Sequence, residues 1–137
     1  MRRTVNDMVR EAKARIEELS VEQLQAEIAA GTCTVIDIRD FRERLEKGAI
    51  PGAISAPRGM LEFWFDPESP YYREAYQFDH RYVLHCAGGQ RSALAAATLL
   101  DIGYTDVAHL EPGFSGWAAA GGAVEDVTAS SKWVKRD

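Results

Sequence analysis

The stretch Arg81-Tyr82-Val83-Leu84-His85-Cys86-Ala87-Gly88-Gly89-Gln90-Arg91-Ser92-Ala93-Leu94 decides the fold. Its first five residues are mostly apolar and rich in β-formers, as expected of a strand buried on both faces. Cys86 to Arg91 form a tight loop of mainly small residues. Ser92 to Ile102 reads as a helix that is apolar on almost every face, so it must be deeply packed. Gly103 ends it. Strand, tight loop and buried helix in succession are the building unit of an α/β domain.

The same alternation extends in both directions. Upstream, Thr4 can cap a first helix, in which Val5, Met8, Val9, Ala12, Ile16 and Leu19 recur at helical spacing. Ser20-Val21-Glu22-Gln23 fits a capping box that opens a second helix, Val21 to about Ala30, closed by Gly31. Thr34 to Ile38 is a short apolar strand. The charged stretch Arg39 to Lys47 predicts a short helix, and Ala53 to Ser55 a very short strand. Residues 57–80, rich in proline and aromatics, read as short helices and loops covering an edge of the core. Downstream, Asp106 to Leu110 predicts a strand, Glu111 to Gly113 a turn and Phe114 to Ala120 a short helix. Together these predict three layers, α/β/α, around a central, mostly parallel sheet of about five strands. The expected organisation is an N-terminal amphipathic helix over residues 1–19 packed on a domain of residues 20–122, followed by a loose tail over 123–137.

The bulk properties suit such a domain. The chain has 137 residues, a normal length for one domain and short for two. Sixteen basic against 21 acidic residues give a net charge of −5, which argues against nucleic acid or an anionic membrane as the main partner. The longest apolar run, residues 92–100, is too short to span a bilayer. The basic N-terminus is followed by no apolar segment of the signal-peptide kind, so a cytoplasmic location is expected. Two cysteines, Cys33 and Cys86, are too few for a disulfide scaffold.

Cys86 is the candidate nucleophile. It stands at the carboxyl end of a predicted strand, where open α/β sheets bind their ligands. Three effects converge on it. Ala87, Gly88 and Gly89, with Gln90, allow backbone N–H groups to turn inward as an anion-binding nest. The helix that follows points its positive end at the loop. Arg91 adds a full positive charge. All three favour a thiolate over a thiol.

These residues carry a resemblance. Cys86-Ala87-Gly88-Gly89-Gln90-Arg91-Ser92 resembles the active-site loop of the rhodanese family. Val35-Ile36-Asp37-Ile38-Arg39-Asp40 resembles the family's first core strand with its Asp-x-Arg motif. Gly48-Ala49-Ile50-Pro51-Gly52-Ala53 resembles its Gly-His-Ile-Pro-Gly-Ala loop, and Gly113-Phe114-Ser115-Gly116-Trp117 with Gly121 its C-terminal segment. Ala49 replaces a common His, and Pro112 a common Gly. The resemblance implies a sulfurtransferase in which Cys86 carries a sulfane sulfur as a persulfide. A small anionic donor such as thiosulfate would supply the sulfur, and cyanide, a thiol or a protein would accept it. In that chemistry the N–H groups of residues 87–91 stabilise the sulfur anion and Arg91 binds the donor.

Two other classes compete. The cysteine phosphatases and arsenate reductases of the same fold place five residues between Cys and Arg. Here four intervene, Ala87 to Gln90, a loop sized for sulfur rather than for a tetrahedral oxyanion. A non-catalytic interaction module would not need the cysteine. Among the remaining candidates, Arg58 belongs to a loop the fold should bring near the cleft. Asp37 and Arg39 are expected to pair as structural support beneath the loop, and Ser92 to cap the helix. Cys33 lacks a glycine nest and a basic neighbour, so it reads as an inert thiol. His80, His85 and His109 lack metal-ligand spacing and read as structural; no metal or organic cofactor is expected.

Overall fold

The computed structural model describes residues 2–128. The elements follow in the order α1 (Val5–Arg15), β1 (Glu17–Leu19), α2 (Val21–Ala30), β2 (Thr34–Asp37), α3 (Phe41–Lys47), β3 (Ile54–Ser55), α4 (Leu61–Phe65), β4 (Tyr82–His85), α5 (Gln90–Ile102), β5 (Val107–Leu110) and α6 (Gly113–Ala119). The five strands form one sheet in the order β1-β5-β4-β2-β3, with every pair parallel. The chain moves outward from β2 to β3, returns to place β4 on the other side of β2, then continues to β5. The switch point therefore falls between β2 and β4, and Cys86 directly follows β4.

Strand parity sorts the core into two layers. Ile36, Tyr82, Leu84 and Val107 pack with Leu61 and Phe65 of α4 and Ala95, Ala96 and Leu99 of α5. Val35, Val83, Ala108 and Leu110 face the other way, onto Leu24 of α2 and Phe114 and Trp117 of α6. The alanines of α5 serve close approach. Ala93 and Ala97 form a small cluster with Ala12, through which α1 packs on α5. Phe65 stacks on Tyr76, with ring centroids 3.8 Å apart, and Tyr82 and Tyr104 meet it edge-on. The aromatic segment over residues 57–80 thus closes one layer of the core, as expected.

The local signals act as read. Thr4 and Ser20 make capping boxes with Asp7 and Gln23, and Gly31 ends α2 in the left-handed conformation at φ 68°. One expectation fails. The helix predicted through Leu19 stops at Arg15; Ile16 is extended, and Glu17–Leu19 becomes an edge strand on β5. Ile16 and Leu19 still point into apolar surroundings, but the first packs on the α5 layer and the second on the α2 layer. Three residues are too few to show period-2 patterning, so the helical spacing of the preceding stripe ran on through them. The tail is also less loose than expected at its start: Glu125 exchanges two backbone hydrogen bonds with Ala49, at 2.9 and 2.8 Å, and Val127 is buried. Residues 129–137 lie outside the described chain. Among the described residues, no helix is long and apolar enough to cross a membrane.

Candidate active site at the carboxyl end of β4

Cys86 is 1% exposed. Its Sγ accepts hydrogen bonds from the backbone N–H of Gly89 at 3.1 Å and of Ser92 at 3.4 Å. Helix α5 has Gly89 as its N-cap, a residue with no side chain to cap with, and Ser92 is its third helical position. The sulfur therefore occupies the place a capping oxygen would take, and it satisfies an otherwise orphaned N–H. Of the residues expected to form the nest, Gly89 donates to the sulfur, and the second donor is Ser92, which lies in α5 with Gln90 and Arg91.

The loop is held from behind by α6. Phe114 and Ser115 donate their N–H groups to the carbonyls of Cys86 at 2.8 Å and Ala87 at 3.0 Å. This contact requires two glycines. A Cβ on Gly113 would stand 2.4 Å from the Ala87 carbonyl oxygen, and one on Gly89 would stand 2.1 Å from that of Glu111. Both glycines also have positive φ, 67° and 94°. Pro112, at the position where the resembled family commonly has glycine, is accommodated because Gly116 leaves room for its ring. Trp117 anchors the far end of α6 by donating its indole N–H to the Ala123 carbonyl at 2.9 Å.

Asp37 and Arg39 pair beneath the site. Arg39 grips both oxygens of Asp37, Nε to Oδ1 at 3.0 Å and Nη2 to Oδ2 at 2.9 Å, and also reaches the Gly48 carbonyl. Arg44 adds a bond to Oδ2 at 3.0 Å, and the Arg39 guanidinium lies over the Phe114 ring. Burial opposes ionisation of Asp37, but the Arg39 hydrogen bonds and the surrounding charges prevail and hold its carboxyl below the usual range. His85 lies beside it with Nε2 at 3.7 Å from Oδ2, and burial pushes its imidazole towards the neutral form. None of this group hydrogen-bonds the sulfur; Arg39 joins the end of β2 to the Gly48 carbonyl and to Phe114 of α6.

Arg91 lies at the mouth, its side chain 44% exposed, and makes a two-pronged ion pair with Glu43 of α3 at 2.9 and 3.0 Å. Arg58 is not brought to the loop: its guanidinium binds Glu62 at 2.7 Å and Thr98, well along α5, at 3.3 Å. Cys33 precedes β2 at the opposite end of the sheet.

One set of contacts was missed in the sequence. Ser92 Oγ lies 3.5 Å from Cys86 Sγ and 2.8 Å from His109 Nδ1, and His109 Nε2 lies 2.9 Å from Glu18 Oε2. His109 is fully buried. Strand parity could have placed His109 on the α5 face with Val107, but Glu18 was assigned to a helix and its partnership with His109 could not be read.

This architecture recurs in known proteins. The pattern of the rhodanese-like domain matches residues 20–120. A solved structure from Rhodopseudomonas palustris, a protein of unknown function described as a possible tyrosine phosphatase, is 46% identical with a TM-score of 0.87. The match covers 91% of this chain and 96% of that one. A thiosulfate sulfurtransferase of Actinobacillus succinogenes is 28% identical over 76% of this chain and 86% of its own length. A Bacillus subtilis protein with a provisional sulfur-carrier name is 29% identical over 78% of this chain, which spans only 54% of that protein. With its parallel five-stranded sheet and a cysteine loop closed against α6, the chain belongs to the rhodanese-like domain family.

Proposed function

We propose that the protein is a sulfurtransferase that carries a sulfane sulfur on Cys86. The observation that carries this reading is the sulfur of Cys86 at the cap of α5, accepting two backbone N–H groups in a loop with four residues before Arg91. The thiolate attacks the outer sulfur of a donor such as thiosulfate. A new S–S bond forms, and sulfite leaves with the electron pair of the broken one. A thiol or cyanide then attacks the terminal sulfur of the persulfide and restores the thiolate. The N–H groups aimed into the loop favour negative charge in both states. The names of the sulfurtransferase and sulfur-carrier relatives agree with this chemistry. Arg91 already holds one oxyanion, the Glu43 carboxylate, and a donor oxyanion would exchange with it.

Intact-mass spectrometry after thiosulfate exposure tests the reading. An adduct of ~32 Da on Cys86, removable by cyanide and absent from Cys86→Ser, is the expected result for a persulfide intermediate. Phosphate-ester hydrolysis is the competing reading, favoured by the name of the Rhodopseudomonas palustris protein. Turnover of a generic aryl phosphate that disappears in Cys86→Ser, with no sulfur adduct, would establish it instead.

A further inference from the structure

The contacts that join Cys86 to Glu18 define where protons sit. A carboxylate only accepts, so His109 Nε2 carries the hydrogen in the 2.9 Å bond to Glu18. His109 Nδ1 is then an acceptor, so the Ser92 hydroxyl donates to it across 2.8 Å. That turns the lone pairs of Ser92 Oγ towards Cys86, whose S–H donates across 3.5 Å. Every donor has an acceptor when the thiol is protonated.

When the thiol ionises, its sulfur can only accept, and the Ser92 hydroxyl must reverse to donate to it. Ser92 Oγ then needs a donor on its other side. His109 Nδ1 supplies one if it has gained a proton, with Nε2–H still on Glu18. The chain is satisfied again with one proton moved from Sγ to Nδ1. Both states are closed networks, a property costly to achieve for buried polar groups.

We propose that Glu18, His109 and Ser92 form a proton relay for Cys86: the thiol proton passes to Ser92 Oγ as the serine's own proton passes to His109 Nδ1. The S–H bond breaks heterolytically and an N–H bond forms; no oxidant or reductant is involved. Glu18 and His109 act through Ser92 and are positioning residues. The inference rests on the reading of Cys86 as the working nucleophile.

The fold builds the relay from three elements. β1 and β5 pair in parallel with Glu18 directly beside His109, and α5 lays Ser92 over His109. The ring lies close under the cysteine loop, since a Cβ on Gly89 would come within 3.8 Å of its Cε1. The charged groups facing it are Glu18 from β1, Lys13 from α1, whose Nζ lies 3.9 Å from Glu18 and 4.0 Å from Glu111, and Glu111 itself. Burial keeps the resting imidazole on its neutral side, able to receive a proton, while Glu18 pulls in the other direction.

Two measurements test the relay, and neither needs a sulfur donor. The first is the NMR titration of His109 in the wild-type protein and in Cys86→Ala. The relay predicts a midpoint lower in Cys86→Ala by about half a pH unit or more, because the imidazolium loses the thiolate that accompanies it. The second is iodoacetamide labelling of Cys86 against pH. His109→Gln, which keeps a polar amide but cannot take up a proton, should label about tenfold more slowly at pH 7 and approach the wild-type rate at pH 9. A His109 midpoint unmoved by Cys86→Ala overturns the relay even if His109→Gln fails to fold, and so does a His109→Gln labelling profile superimposable on the wild type. Missing sulfur adducts with a displaced His109 midpoint would reject sulfur transfer and keep the relay.

Discussion

The two cysteines lie at opposite ends of the sheet and live under opposite electrostatics. Cys33 precedes β2 and is level with Arg81, while Cys86 follows β4 and is level with Ile38, as the register of the two strands requires. Five residues of strand rise separate those levels, about 16 Å, which rules out a disulfide within one molecule. At the carboxyl end, the start of α5 brings N–H donors to Cys86. At the amino end, the neighbours are acidic: Glu27 from the last turns of α2, and Glu17 and Asp106 gathered around Arg81. Burial, and then the charge of Glu27, pushes the Cys33 thiol up to about 11. A parallel sheet thus offers a thiol two very different ends, because every helix enters with its positive pole at one of them.

The largest expected effect breaks the symmetry of the pair. Cys86→Ser should abolish sulfur transfer, since serine cannot carry the sulfur, whereas Cys33→Ser should leave the rate unchanged in a thiosulfate:cyanide assay. The next concerns labelling. In Cys86→Ser only Cys33 can react, and its alkylation should be barely measurable at pH 7. It should rise about tenfold per pH unit up to pH 10, as expected of a thiol that ionises near 11. An early plateau would show that the acidic end does not suppress ionisation.

The third prediction attacks the carboxyl end itself. Gly89→Ala places a methyl 2.1 Å from the Glu111 carbonyl oxygen in a left-handed backbone, so the loop must part from the β5–α6 turn. We expect a loss of about 2 kcal/mol or more in denaturant titration, with slower labelling of Cys86. The smallest effect sharpens the role of the mouth. Glu43→Gln releases Arg91 from its ion pair, so KM for thiosulfate should fall by about threefold with little change in kcat, as expected when an exposed pair worth less than about 1 kcal/mol is removed.

The sheet, its flanking helices and the cysteine loop were legible because each carries a strong local signal. β4 is apolar throughout, α5 is alanine-rich, and Gly89 and Gly113 fall where backbones touch. The pairing of Asp37 with Arg39 was legible because two buried residues two apart can close on each other. Arg58 was misjudged since its loop does approach the end of β2, through its own N–H to the Ile38 carbonyl, while the long side chain turns away to Glu62. Glu18 was illegible for a different reason. A three-residue strand has no periodicity of its own, and its identity comes only from the β5 edge it completes.

That edge strand also bears on where the working unit of this protein begins. The family pattern starts at residue 20, one position after β1 ends. A protein trimmed to that boundary would retain Cys86, its loop and the three other motifs. It would also uncover the hydrogen-bonding edge of β5, an invitation to pair with another chain, and it would leave a buried histidine without its carboxylate. For this chain, the family pattern is shorter than the sheet it folds into, which takes its edge strand from residues 17–19.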